Sequence, residues 1–156
     1  MHPSSRSTET RVDDPDRGSA ALEFIVVGLL LLVPIVYLIV SLGVIQGQSL
    51  GVEAGARHIA RAVSQAADAG SARGVAAQVL DSVVEEYDID PASIHFTMEC
   101  VPAGARCPEA GTTLVVTLRT RVALPLVPPV LGLDRLASIP VEASSAQKVS
   151  RFWDER

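Results

Sequence analysis

Three sets of side chains in this 156-residue chain have the chemistry to act: two cysteines, three histidines and one carboxylate beside a long apolar run. Cys100 and Cys107 are the only cysteines, with Pro102 and Gly104 between them. In an oxidising compartment they would close a short disulfide loop; they form neither a C-x-x-C redox motif nor half of a zinc site with a visible partner pair. His2, His58 and His95 are scattered, and none has a cysteine or carboxylate at metal-ligand spacing, so each reads as a surface or strand histidine and no metal is expected. The carboxylate is Glu23. In Arg17-Gly18-Ser19-Ala20-Ala21-Leu22-Glu23-Phe24 it directly precedes a segment suited only to a membrane. A charge placed inside the bilayer costs roughly 2.5 to 3.5 kcal/mol on insertion scales, which makes such an acid a functional-site candidate. The plainer alternative is that Glu23 snorkels to the interface at the helix end.

The element that must position Glu23 is the run itself. Phe24 to Val40 contains no charged side chain, and Ser41-Leu42-Gly43-Val44-Ile45 extends it. That matches the roughly 20 residues a helix needs to cross the hydrocarbon layer. Pro34, in mid-run, removes one backbone donor; a bend is expected there, not a break. Residues 1–17 mix Arg6, Arg11 and Arg17 with Glu9, Asp13, Asp14 and Asp16 and carry almost nothing apolar, so they read as a solvated leader. Arg17 abuts the run on its N-terminal side, whereas the first basic residue after it is Arg57, which orients the N-terminus to the cytoplasm and the body outward across the plasma (inner) membrane. A cleaved secretory signal, with Ser41-Leu42-Gly43 as its small-residue site, fits less well, because the apolar core exceeds the usual length and Glu23 interrupts its start.

Beyond the run the helical pattern continues. Gly43, Gly47, Gly51 and Gly55 recur every four residues and lie along one ridge. Each costs a helix about 0.8 to 1 kcal/mol relative to alanine, so either a second helix approaches closely along this ridge or the segment is made flexible by it. Val52, Ala56, Ile59, Ala60, Val63 and Ala67 then share one face while Glu53, Arg57 and Arg61 run down another, with Glu53 and Arg57 in the favourable i,i+4 order, so the stem is expected to reach Ala67.

Gly18 followed by a small residue, an acid five residues beyond it and an aromatic directly after the acid resembles the processing site of type IV pilins, in the Glu-Phe or Glu-Tyr version of the tight-adherence (Flp) pilus system. Ala54-Gly55-Ala56-Arg57-His58-Ile59-Ala60-Arg61-Ala62 is similar to the alanine- and arginine-rich stretch of TadE-like proteins, minor pilin-like components (pseudopilins) of that type IVb machinery. The resemblance implies a membrane prepilin peptidase cutting between Gly18 and Ser19. The new α-amino group would then lie about one and a half helical turns from Glu23, and the acid would neutralise the N-terminal amine of a neighbouring subunit. Glycine before the bond lets an extended backbone enter a tight protease cleft.

Downstream, Asp68-Ala69-Gly70-Ser71 reads as a helix stop with a new N-cap at Ser71. A second amphipathic helix over Arg73 to Tyr87 presents Val75, Ala76, Val79, Leu80, Val83, Val84 and Tyr87. Ile94 to Cys100 alternates, as do Leu114, Val116 and Leu118 with Val115, Thr117 and Arg119, which suggests a hairpin around the cysteine loop. Leu124 to Leu136 is apolar but broken by Pro125, Pro128 and Pro129, so it is either an exposed contact patch for a partner or, the better reading, a loop that folds back on the core. Ile139 to Ser144 is a last strand, confined by Pro140 to an edge or a start, leading into a polar tail.

The expected fold is therefore α+β: a long N-terminal transmembrane helix continuing into a stem, a second helix and a small antiparallel sheet of about three strands, like a reduced pilin. The expected organisation is a leader over 1–18, a transmembrane helix over 19–45, a helical stem and second helix over 46–90, and an extracytoplasmic β-rich part over 91–156. A net charge of -5 offers no basic field for nucleic acid. No phosphate loop or nucleophile elbow is present, so neither an enzyme nor a cofactor or small-molecule substrate is expected. Two function classes remain. One is a minor pilin-like subunit whose partners are the prepilin peptidase, other pilin-like subunits, the assembly platform and the lipid bilayer; the other is a permanently anchored accessory or binding protein.

Overall fold

The computed structural model describes residues 19–102, 106–127, 132 and 136–153. Helix α1 runs Ser19–Gln65, α2 Ala69–Glu86, and strands β1, β2 and β3 run His95–Val101, Thr113–Ala123 and Ser138–Lys148. The chain divides into two compact units, Met1–Leu38 and Ile39–Arg156.

In the first unit the described residues are the N-terminal part of α1. Its leucines, valines and isoleucines face outward on every side, from Leu22 to Leu38, and Phe24 is 80% exposed. The helix passes through Pro34 without interruption. A helix that is apolar all round needs an apolar solvent or a buried setting. This one is long and apolar enough to cross a membrane.

The second unit is a layer of two helices on one face of a three-stranded antiparallel sheet of order β1-β2-β3. Alternation in β2 makes that layer possible: Leu114, Val116, Leu118, Thr120 and Val122 are buried, while Arg119 and Arg121 are exposed on the other face. From α1 the core receives Val52, Ala56, Ile59, Ala60 and Val63, and from α2 Ala72, Ala76 and Val83. The open face is polar. There Thr117 and Ser144 share a hydroxyl hydrogen bond of 2.8 Å, and Arg119 pairs with Glu142 at 3.0 Å. β3 is an edge strand, where Pro140, opposite Arg121, is tolerated without its N–H.

Several expectations are corrected. α1 ends at Gln65, and Ala67, expected on the stem's apolar face, is exposed. The N-cap of α2 is Asp68, not Ser71: Asp68 is extended, its Oδ1 accepts from the Gly70 and Ser71 backbone N–H groups at 2.8 Å, and Ser71 accepts the Asp68 N–H with its hydroxyl. Both residues belong to one capping box, so the helix starts at Ala69, four residues before the expected start at Arg73. β2 extends four residues beyond Arg119, and β3 continues through Lys148. The supposed polar tail then returns to the core: the Val149 N–H donates to Thr112 O at 2.9 Å, and Trp153, 7% exposed, packs against the core.

Candidate functional site

Glu23 stands on the second turn of α1 as described, exposed, with Leu22, Phe24 and Ile25 exposed around it. Ser19 opens the described helix four residues earlier, which at about 1.5 Å per residue puts roughly 6 Å of rise between them. Gly18 lies outside the described residues. The acid and the aromatic are therefore brought together on one helix end, ahead of apolar turns that extend to Ile45.

The glycine ridge divides in two. A Cβ on Gly51 would overlap the ring and Cβ of Tyr87, and one on Gly55 would stand 3.0 Å from both Leu118 Cδ1 and Val83 Cγ1. Glycine at these two positions allows α2 and β2 to approach α1, so the close partner here is the chain's own outer unit. Gln48 reinforces the junction by donating from Nε2 to Asp88 O at 3.0 Å, where the chain leaves α2 with Asp88 at φ 49. At Gly43 and Gly47 an added Cβ meets nothing within 4 Å. Internal packing does not explain them.

The Ala54 to Ala62 stretch turns Ala56, Ile59 and Ala60 inward and leaves Arg57, His58 and Arg61 along an open groove of about 500 Å³ shared with Ser145 and Gln147 of β3. Arg57 reaches Glu53 at 2.6 Å, an exposed pair of the kind that contributes at most about 0.5 kcal/mol. Helical spacing alone did not reveal this groove, because its second wall comes from a strand about 85 residues later in a sheet whose register only the fold supplies.

Cys100 and Cys107 form a disulfide with Cα atoms 5.4 Å apart, closing the start of the β1–β2 connection onto the end of β1. Both sulfur-bearing residues pack against the core, so the bridge is structural in its setting. His58 lines the groove, His95 is exposed at the start of β1, and His2 lies outside the described residues. Among the described residues no group of three or more His, Cys, Asp or Glu is arranged to hold a metal ion. The Asp68 carboxyl departs from its ordinary range. The Ser71 and Gly70 backbone N–H groups hold Asp68 below the usual aspartate value, and this belongs to the α2 cap, not to a site of chemistry. No family model, curated protein or solved structure matches this chain.

Proposed function

We propose that this chain is a minor, pilin-like subunit of a type IVb tight-adherence pilus, matured by a prepilin peptidase between Gly18 and Ser19. The observation that carries the reading is the coincidence of Gly18, Glu23 and Phe24 at processing-site offsets with an apolar helix that runs on, unbroken, into a folded outer unit. A subunit of this kind is stored in the bilayer and drawn from it; its helix supplies generic packing and its outer unit specific contacts. Glu23 then answers the free amine at Ser19 of a neighbouring copy, offsetting the desolvation of both charges. Gly43 and Gly47, unclaimed within the chain, are the positions where such a neighbour approaches most closely. The outer unit sets this subunit apart from a pilin that is little more than leader and helix, and favours a minor role.

The mature N-terminus decides the matter. Mass spectrometry of the protein from cells with the peptidase should find Ser19 first, and from cells without it the longer chain. Mature material that keeps residues 1–18 in peptidase-competent cells supports the permanently anchored accessory protein instead. The Glu23→Val variant should still insert and still be cut, with pilus assembly lost; unchanged piliation would remove the role assigned to the acid.

A further inference from the structure

Strand β3 is an edge of the outer sheet, and its hydrogen-bond parity shows which residues turn outward. The Leu124 N–H donates to Ala137 O at 3.0 Å and the Val149 N–H to Thr112 O at 2.9 Å, each one step beyond an end of the β2–β3 register. In that register the odd-numbered residues of β3 turn their backbone groups to β2, and the even-numbered ones turn theirs away. Pro140 belongs to the outward set, where its missing N–H costs no ladder bond. Beyond it, Glu142, Ser144, Ala146 and Lys148 present N–H and C=O groups to which no described residue is hydrogen-bonded. Sheet edges are commonly protected by proline, charge or a bulge, and Ala143-Ser144-Ser145-Ala146-Gln147, in unbroken register with β2, has none of these.

What lies beside that edge is cationic. On the helix side of β3, Val141 and Ala143 pack against the core, while Ser145 and Gln147 share the groove with Arg57, His58 and Arg61, all three exposed. Further along α1, Ser64 to Ala67 share the next groove with Gln147, Lys148 and Ser150, so stem and strand run alongside each other in one sense. Arg57 is held only by Glu53, an exposed pair that a new partner displaces at little cost. Arg61 has no ion pair among the described residues; three and four positions away on α1 it meets Arg57, His58, Ser64 and Gln65, and no acid. Spacing completes the match. Residues four apart on a helix are separated by about 6 Å of rise, and residues two apart on a strand, which share a face, by about 6.7 Å. An extended segment laid along β3 therefore sets alternate side chains opposite Arg57 and Arg61.

We infer that the outer edge of β3, from Glu142 to Lys148, takes up an extended acidic segment of a partner protein as a fourth strand, with Asp or Glu at alternate positions facing Arg57 and Arg61. Main-chain pairing supplies the attachment, and the carboxylate–guanidinium contacts fix the register and the choice of partner. A second copy of this chain does not fit. Edge to edge it would offer Val141, Ala143, Ser145 and Gln147 on that face, none of them acidic, and would set its own Arg57 and Arg61 on the same side of the joined sheet. Every residue involved belongs to the outer unit, so the inference requires neither a bilayer nor pilus assembly.

The full chain in detergent micelles tests this with a capped peptide of alternating threonine and glutamate, followed by amide NMR. The peptide should shift the Ser144 and Ala146 amides and slow their hydrogen exchange several-fold. A counterpart with lysine in place of glutamate should bind several-fold more weakly, and Arg61→Glu, a change at an exposed position, should reverse that preference. Ala146→Pro removes an outward N–H and no ladder bond, so it should weaken the glutamate peptide several-fold while the unfolding temperature of the outer unit stays unchanged. Shifts confined to Arg57, His58 and Arg61, with exchange at Ser144 and Ala146 unaltered, would mean that charge alone holds the peptide, and the added strand is overturned. Equal binding of the two peptides, or no binding of the glutamate peptide at millimolar concentration, would overturn it as well.

Discussion

Gly51 and Gly47 sit one helical turn apart on the same ridge and should respond oppositely to an added methyl group. At Gly51 the Cβ would overlap Tyr87, so Gly51→Ala forces α2 away from α1 and should cost about 1 to 3 kcal/mol, the usual range for overpacking. At Gly47 nothing is displaced, and Gly47→Ala should stabilise the helix by up to about 1 kcal/mol. Thermal unfolding in detergent micelles, followed by the Trp153 signal, separates the two; equal effects would mean that α2 does not bear on Gly51. Asp68 makes a second test at this scale. Its carboxyl is held below the ordinary aspartate value of 3.8 by the Ser71 and Gly70 N–H groups, so on acidification the unfolded chain takes up a proton first. Cap stabilisation is thus complete above 3.8 and declines as pH falls below that value toward the lowered native one. Asp68→Asn keeps an oxygen acceptor and should flatten this part of the acid profile, which a series of melting curves from pH 5 to pH 2 measures. An unaltered profile would assign the acid sensitivity elsewhere.

Among the elements, the disulfide loop offers the cleanest perturbation, because it closes few residues and lies at one end of the β1–β2 hairpin. A chain-entropy estimate for so short a loop is about 2.5 kcal/mol, so the Cys100→Ser/Cys107→Ser pair should lower the unfolding temperature of the outer unit without moving α1 in the membrane, as differential scanning calorimetry and lipid quenching would respectively report. The cysteine loop, α2 and the strands were legible because each carries its own local signal: paired cysteines, three- and four-residue apolar spacing, and alternation such as Leu114-Val115-Val116-Thr117-Leu118. Where two signals competed, reading went astray. Asp68 and Ser71 are both cap formers three residues apart, and which one is the cap depends on backbone conformation that composition does not carry. Val149 and Trp153 stand singly among polar residues, with no period to reveal them, yet tertiary contact makes both core. The glycine ridge was visible as a ridge; that Gly51 and Gly55 face α2 and β2, whereas Gly43 and Gly47 face nothing internal, depends on a packing arrangement absent from the pattern. Glu23 and Phe24 stand out in the sequence because of the long uncharged run beside them, and the role proposed for them rests on that position.

At the scale of the molecule, one helix belongs to two units, the first apolar on every side and long enough to cross a membrane and the second built on a core of its own, and their stabilities should therefore respond to different substitutions. Leu31 is exposed in the apolar part of α1, and Trp153 is 7% exposed in the core of the outer unit. A charge at Leu31 acts on the lipid term alone: Leu31→Arg should cost roughly 2.5 to 3.5 kcal/mol of insertion free energy and increase the fraction released by alkaline carbonate, while the melting temperature of the outer unit stays within error. Trp153→Ala acts on the other term. It removes a large core side chain, with an expected loss of about 3 to 5 kcal/mol of folding stability, yet membrane retention should be unchanged. Since the two positions share no partner, their effects should add in the double variant. A large non-additive term would mean that the bilayer and the outer unit are coupled beyond the shared helix.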